Sequence, residues 1–426
     1  MTNFRKLFIL SGLLSLSLID GQNKNGNGEV VAGARPPETQ STEGKPLELR
    51  ETFGKGQKPA FEGQTRIGSV KTKTPYKEEI ITDKLNEPWG MAFLPDGRIL
   101  ITEQKGKLRI VTQDGKISKK LKGLPKNIAY GGDAGLLDVA IDPNFESNHT
   151  VYLSYVEKKK NKGTGLIISA AKLSDDESEL LGLKKIYVVR DSTGEGMAHY
   201  GSRLIFDDKG KLLVSIAERM FKKKRVEAQW LSSQLGKIIR INTDGTPAEG
   251  NPKFTSDSLN VLPEIYALGV RNPQGLAWNP VTKELWEDEH GQQGGDEINI
   301  IRPGKNYGWP TIAYGVEYDW KIIGNNLTQK EGMEQPIYYW DPTVAPSGCT
   351  FYTGTSIPEW KNNMFIATLA GEHIVRLVIE SDKVIGEERL LLGQKSRMRD
   401  VEMGNDGNLW VISDEKRGKL IKISKK

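Results

Sequence analysis

Cysteine is all but absent. Cys349 is alone among 426 residues, which excludes an internal disulfide, a cysteine-based zinc site and an iron–sulfur cluster. Histidine is scarce as well, and a multi-histidine metal centre would use nearly all four. Neither sign of charge dominates: 60 basic residues against 55 acidic leave +5, too little and too evenly spread for a nucleic-acid partner. Hydrophobic residues at 37% and charged residues at 27% describe a polar globular chain, neither a disordered tail nor a polytopic membrane protein.

Long apolar runs are missing except at the start. Residues 7–19 are almost wholly apolar, follow Arg5 and Lys6, and end at Asp20. That pattern predicts a secretory signal over 1–20, too short to span a bilayer, and hence a periplasmic or secreted protein with no membrane span in the mature form. Residues 21–64 are rich in Asn, Gly, Glu, Lys, Pro and Thr, a composition that predicts a disordered linker.

Turn residues and aromatics, by contrast, are plentiful: 46 Gly and 20 Pro, with 9 Trp and 13 Tyr. From residue 65 short β-type runs alternate with Gly, Asp and Asn turns. The run at 98–102 is followed by 107–112, that at 211–216 by 237–241, and that at 409–413 by 419–423. An Asp96-Gly97, Lys209-Gly210 or Asp406-Gly407 turn precedes each pair, which reads as hairpins. Recurrence of such a unit to residue 426 predicts an all-β fold, a six-bladed β-propeller of four-stranded antiparallel sheets over 65–426. A β-sandwich pair or an irregular barrel is the competing architecture. Gly-rich polar stretches interrupt the strands at 130–138, 197–203, 269–275, 289–299, 305–310, 345–348 and 396–400. In a propeller these loops gather at one end of the channel, where function usually lies.

Those stretches carry a resemblance. HYGSRLIF (199–206), LGVRNPQGLAWNP (268–280), EHGQQGGDEINII (289–301) and KNYGWP (305–310) resemble the soluble quinoprotein glucose/sorbosone dehydrogenases, and the bacterial aldose sugar dehydrogenases above all. GLLDVAIDPNF (135–145) and RMRDVEMGNDGNLWVISDE (397–415) extend the likeness over about 86–423. The resemblance implies a six-bladed propeller that uses pyrroloquinoline quinone (PQQ) and Ca²⁺.

It also implies roles. His199 corresponds to the general base, a role suited to an imidazole that titrates near neutrality. Arg271 and Asn272 correspond to the pair set against the quinone, where a guanidinium stabilises charge as hydride arrives. Arg397 and Arg399 share one strand face and suit the carboxylates of the cofactor. Asp133 and Tyr318 stand at further cofactor-contacting positions. Gly291, Gln292, Asp296, Glu297 and the Tyr307 carbonyl correspond to calcium donors, in keeping with a cation that takes six to eight oxygens. His290 is expected to shape its loop.

Three departures face the cofactor. Asp133 replaces a glutamine, Ala370 replaces a lysine, and Gln292 replaces a proline. The first two remove positive or add negative charge beside a polyanion, which weakens binding. Two readings follow. One is an oxidoreductase converting aldoses to lactones at the anomeric carbon, with electrons passed to an external acceptor because the chain has no CxxCH haem motif. The other is a non-catalytic propeller that keeps calcium, has lost PQQ and binds a sugar or protein partner. A monomer or dimer is expected in either case.

Overall fold

The computed structural model describes residues 43–159, 163–190, 196–254 and 260–426. The expected signal at 1–20 and the start of the linker lie outside them. Strand-forming runs pair with their sequence neighbours into six antiparallel sheets, the propeller architecture that the hairpin recurrence predicts. The hairpins at 99–111, 212–241 and 409–425 are the second and third strands of blades one, three and six.

Five blades have four strands. The first has three, Pro88–Phe93, Ile99–Glu103 and Lys107–Val111. Its fourth position is reduced to a single bridge between Val111 and Ile117, a difference from the regular four-stranded expectation. The last blade is completed by the first long strand: Tyr76–Leu85 pairs with Gly418–Lys425. This pairing closes the ring and protects an edge that would otherwise be exposed.

The innermost strands are Pro88–Phe93, Leu136–Ile141, Gly201–Phe206, Pro273–Trp278, Pro346–Phe351 and Met398–Met403. In every blade the innermost strand gains one residue on its neighbour, between positions 88 and 91, 136 and 139, 201 and 204, 273 and 275, 346 and 349, and 398 and 400. A bulge of this kind re-aims side chains. The bulged segments supply Trp89, Asp138, Arg203, Gln274, Ser347 and Arg399, and these meet in the centre. Arg203 donates to Asp138 at 3.0 Å, Arg399 donates to Gln274 at 3.3 Å and to Ser347 at 3.4 Å, and both guanidiniums flank the Trp89 ring at 4.7 and 5.5 Å. The apolar core lies between blades, with Trp286, Trp360 and Trp410 fully buried.

The expected disordered linker differs from the structure over 43–64. Pro46 bridges to Gly68, Ser69 pairs with Glu387 at the edge of the fifth blade, and Gln64 is completely buried with its carbonyl bonded to the Tyr339 N–H. Composition alone misled because this segment is ordered largely by polar bonds to blade edges and loops. No helix among the described residues is long and apolar enough to cross a membrane.

Candidate active site

The polar loops converge at the end of the channel where the innermost strands begin. His199 lies two residues ahead of the strand Gly201–Phe206. Its backbone is left-handed, at φ 51°, a conformation that a side chain disfavours and that surrounding contacts must hold. Asp133 supplies one such contact, accepting the His199 N–H at 2.8 Å through its carboxylate. Tyr200 turns into the core while the His199 ring meets Glu218: Nδ1 lies 2.8 Å from Oε1, and both side chains are buried. A carboxylate at Nδ1 makes that nitrogen the donor and leaves Nε2 as an acceptor.

Arg271 faces the same cleft. Its Nη1 donates to the carbonyls of His290, at 2.6 Å, and of Gly291, while its backbone N–H donates to Glu289. The guanidinium packs 5.2 Å from the Trp309 ring, within hydrogen-bonding reach of the half-exposed Tyr318. Asn272 Oδ1 accepts from Gly201 N–H at 3.3 Å and from Gln274 at 3.2 Å, locking the third and fourth blades together. Burial lowers the His290 pKa well below the usual imidazole range, and the nearby Arg271 and Arg399 guanidiniums lower it further.

Arg397 and Arg399 do project to one side, and both donate to Asp414 Oδ2, at 3.2 and 2.8 Å. Burial works against the ionised Asp414 carboxyl, yet the two guanidiniums hold it below the usual range. The Ala370 N–H donates to the Val344 carbonyl at 3.1 Å. The basic stretch 219–225 spends much of its charge locally. Arg225 and Lys222 pair with Glu317 at 2.7 and 3.5 Å, and Arg219 covers the Tyr200 ring at 4.0 Å.

The acidic loop is more densely built than its sequence suggests. The strands Leu285–Glu289 and Asp296–Ile301 place Glu287 opposite Asn299 and Glu289 opposite Glu297, all four buried on one face. Burial, compounded by mutual repulsion, pushes Glu287 and Glu297 well above the ordinary carboxylate range; burial pushes Glu289 to about 7. Asp296 is spent on the fold. Gly291 N–H fills one oxygen, and Thr343, Val344 and Ala345 fill the other, which leaves it little capacity for the cation expected there. The Gly291 carbonyl likewise already faces Arg271.

Both implied groups can be tested against the chemistry present. Arg271 Nε and Arg399 Nε are buried with no acceptor among the described residues, a shortage that an anionic ligand with several carboxylates would fill. On the acidic side, Glu287 Oε1, Gln292 Oε1, Gln293 Oε1 and Asn299 Oδ1 are buried acceptors without donors. No three His, Cys, Asp or Glu side chains form a cage among the described residues. A cation would therefore draw on amide and backbone oxygens as well as carboxylates, as hard Ca²⁺ does. Both groups fit the residues present.

Sequence reading missed Glu218, Gln274, Asp414 and Trp309. Glu218 ends the third-blade run SIAE, and only its position two residues past a predicted strand, at the loop end, could have flagged it.

Known proteins resemble this chain over most of its length. The sequence model of the glucose/sorbosone dehydrogenases matches residues 85–422. The aldose sugar dehydrogenase YliI of Escherichia coli is 39% identical over 350 residues, covering 81% of this chain and 92% of that protein. The apo-form crystal structure of the soluble Escherichia coli aldose sugar dehydrogenase superposes with a TM-score of 0.77 at 38% identity, over 82% of this chain and all of that one (100%). The PQQ-bound aldose sugar dehydrogenase of Streptomyces coelicolor does so with a TM-score of 0.67 at 25% identity, over 83% and 99%.

Proposed function

The chain belongs to the glucose/sorbosone dehydrogenase family of sugar dehydrogenases, and from that premise we propose that it oxidises aldoses at the anomeric carbon to lactones, with PQQ and Ca²⁺ as cofactors. The observation that carries this reading is the buried His199–Glu218 pair, with the His199 ring and the Arg271 and Arg399 guanidiniums gathered around His290. PQQ, when bound, supplies a two-electron acceptor for hydride. His199 Nε2 takes the proton of the anomeric hydroxyl, and Glu218 holds the ring in the tautomer that can accept it. Arg271, fixed by the His290 and Gly291 carbonyls and stacked on Trp309, presents fixed positive charge where negative charge develops. Arg397 and Arg399 bind cofactor carboxylates, with Asp414 setting their orientation. Glu297, with the Tyr307 carbonyl, Gln292 and neighbouring oxygens, holds the cation. Electrons then leave to an external acceptor, and the location is periplasmic or secreted.

Asp133 and Ala370 favour a second reading, a propeller that keeps calcium but recognises a sugar or protein without PQQ. Calorimetric titration of the calcium-loaded protein with PQQ, followed by dye reduction with a panel of aldoses, separates the two. No heat at micromolar PQQ and no dye reduction would remove the enzyme.

A further inference from the structure

The stretch ahead of the first blade lies outside the region matched to the family, 85–422, yet it bonds to the walls of the cleft. Gln57 is one such contact. Its amide nitrogen donates to the Gly315 carbonyl at 3.0 Å and its amide oxygen accepts the Gly315 N–H at 2.8 Å, so one side chain acts as a strand partner. The same nitrogen donates to Asn326 Oδ1 at 3.0 Å. Nearby, Phe53 meets Trp320 edge-on at 5.2 Å, and the N–H groups of Phe53 and Gly54 each donate at 2.9 Å to Asp341, one to either oxygen.

Both anchors bear on the loop beside the candidate cation site. Val316 and Gln293 exchange backbone hydrogen bonds at 3.0 Å in both directions. A Cβ on Gly315 would meet the Gln293 and Gly294 carbonyls at 2.4 Å, and a Cβ on Gly294 would meet Asp341 Oδ1 at 2.2 Å. Gln293 and Gly294 are thus clamped between the segment that Gln57 holds and the carboxylate that Phe53 and Gly54 hold. Three residues past Gly315, Tyr318 reaches Arg271.

We propose that Gln57 is a positioning residue for the cleft. Acting through Gly315, it holds the 291–295 loop and the Tyr318 wall where substrate and cation meet them, and it touches no reacting group itself. Protection of blade edges is a separate task, carried by Gln64 and Val70, whose backbones bond to Tyr339 and Glu387; Gln57 takes no part in it. The kinetic consequence rests on the aldose dehydrogenase reading, whereas the structural one does not.

The test uses the full chain, comparing Gln57→Ala, Gln57→Glu and the exposed control Lys55→Ala. Hydrogen exchange of the cofactor-free protein should rise about tenfold in peptides covering 291–295 and 313–326 for Gln57→Ala, with the blade strands unchanged. With PQQ and Ca²⁺, KM for an aldose should rise about fivefold while kcat stays within about twofold. Gln57→Glu keeps the oxygen that accepts the Gly315 N–H and should fall in between; Lys55→Ala should match the parent. Unchanged exchange in those loops, an equal rise across all six blades, or a loss of kcat at constant KM would each overturn the proposal. Exchange needs neither cofactor nor sugar, so a parent protein that oxidises no aldose sinks the functional reading alone.

Discussion

His199 Nδ1 lies 2.8 Å from Glu218 Oε1, with both groups buried, and this pairing decides which ring nitrogen is free to accept a proton. Glu218→Gln should lower kcat by about a hundredfold, because an amide can donate to Nδ1 and so favour the wrong tautomer. His199→Ala should abolish turnover and leave PQQ affinity nearly intact. Steady-state dye reduction checks both, and full activity in Glu218→Gln would remove the carboxylate from the mechanism.

Arg399 is nearly buried, whereas Arg397 is 38% exposed on its side chain. Arg399→Ala should therefore weaken PQQ binding by about tenfold to a hundredfold, and Arg397→Ala by less, since solvent screens the more open charge. Ala370→Lys should tighten binding by restoring the cation that the family resemblance implies at this position. Isothermal titration with PQQ reads all three, and equal affinities would contradict the charge argument.

Buried Glu287, Glu289 and Glu297 repel one another, so a cation should stabilise the native state. Saturating Ca²⁺ should add about 3 kcal/mol at a hundred times Kd, a rise in melting temperature of a few degrees that chelator reverses. In Glu297→Gln most of that gain should vanish. A melting curve indifferent to both calcium and chelator would end the calcium claim.

The buried Asp138 carboxyl gives a stability test free of ligands. Burial outweighs the Arg203 guanidinium and, with Asp400 adding to the rise, pushes it from 3.8 to about 6. Between those values the native state holds a proton that the unfolded chain has lost, so stability falls as pH rises through this window. Asp138 accounts for roughly 2–3 kcal/mol of that fall, at 1.36 kcal/mol per pKa unit. Asp138→Asn, which keeps an acceptor for Arg203, should flatten the slope in urea unfolding. An unchanged slope would place the titration elsewhere.

Much of this was legible along the chain, because turns and strand runs are local. Asp96-Gly97 and Asp406-Gly407 mark hairpins by backbone preference alone, and the paired strands beyond them formed where expected. Gly-rich polar stretches marked the segments that hold His199, Arg271 and Asn272, and the family resemblance picked out those residues together with Arg399, which lies on the innermost strand Met398–Met403. Glu218 could not, since its role depends on a histidine 19 positions away brought close by the blade. Nor could the spending of Asp296, one of whose oxygens is filled by residues 343–345 in the loop leading to the next blade.

By itself the sequence determined the all-β architecture, the recurrence of hairpins that build the blades, and the residue types available at the cleft, all of which follow from short-range periodicity and turn chemistry. Tertiary structure alone decided which of those residues meet. The single-residue bulge in each innermost strand aims Asp138, Arg203, Gln274, Ser347 and Arg399 into one channel. The ordering of residues 43–64 likewise came from blade edges and loops that offered unpaired backbone groups. A bulge or a docked strap depends on what lies across the sheet, and that partner is set by contacts hundreds of residues apart, which no local pattern encodes.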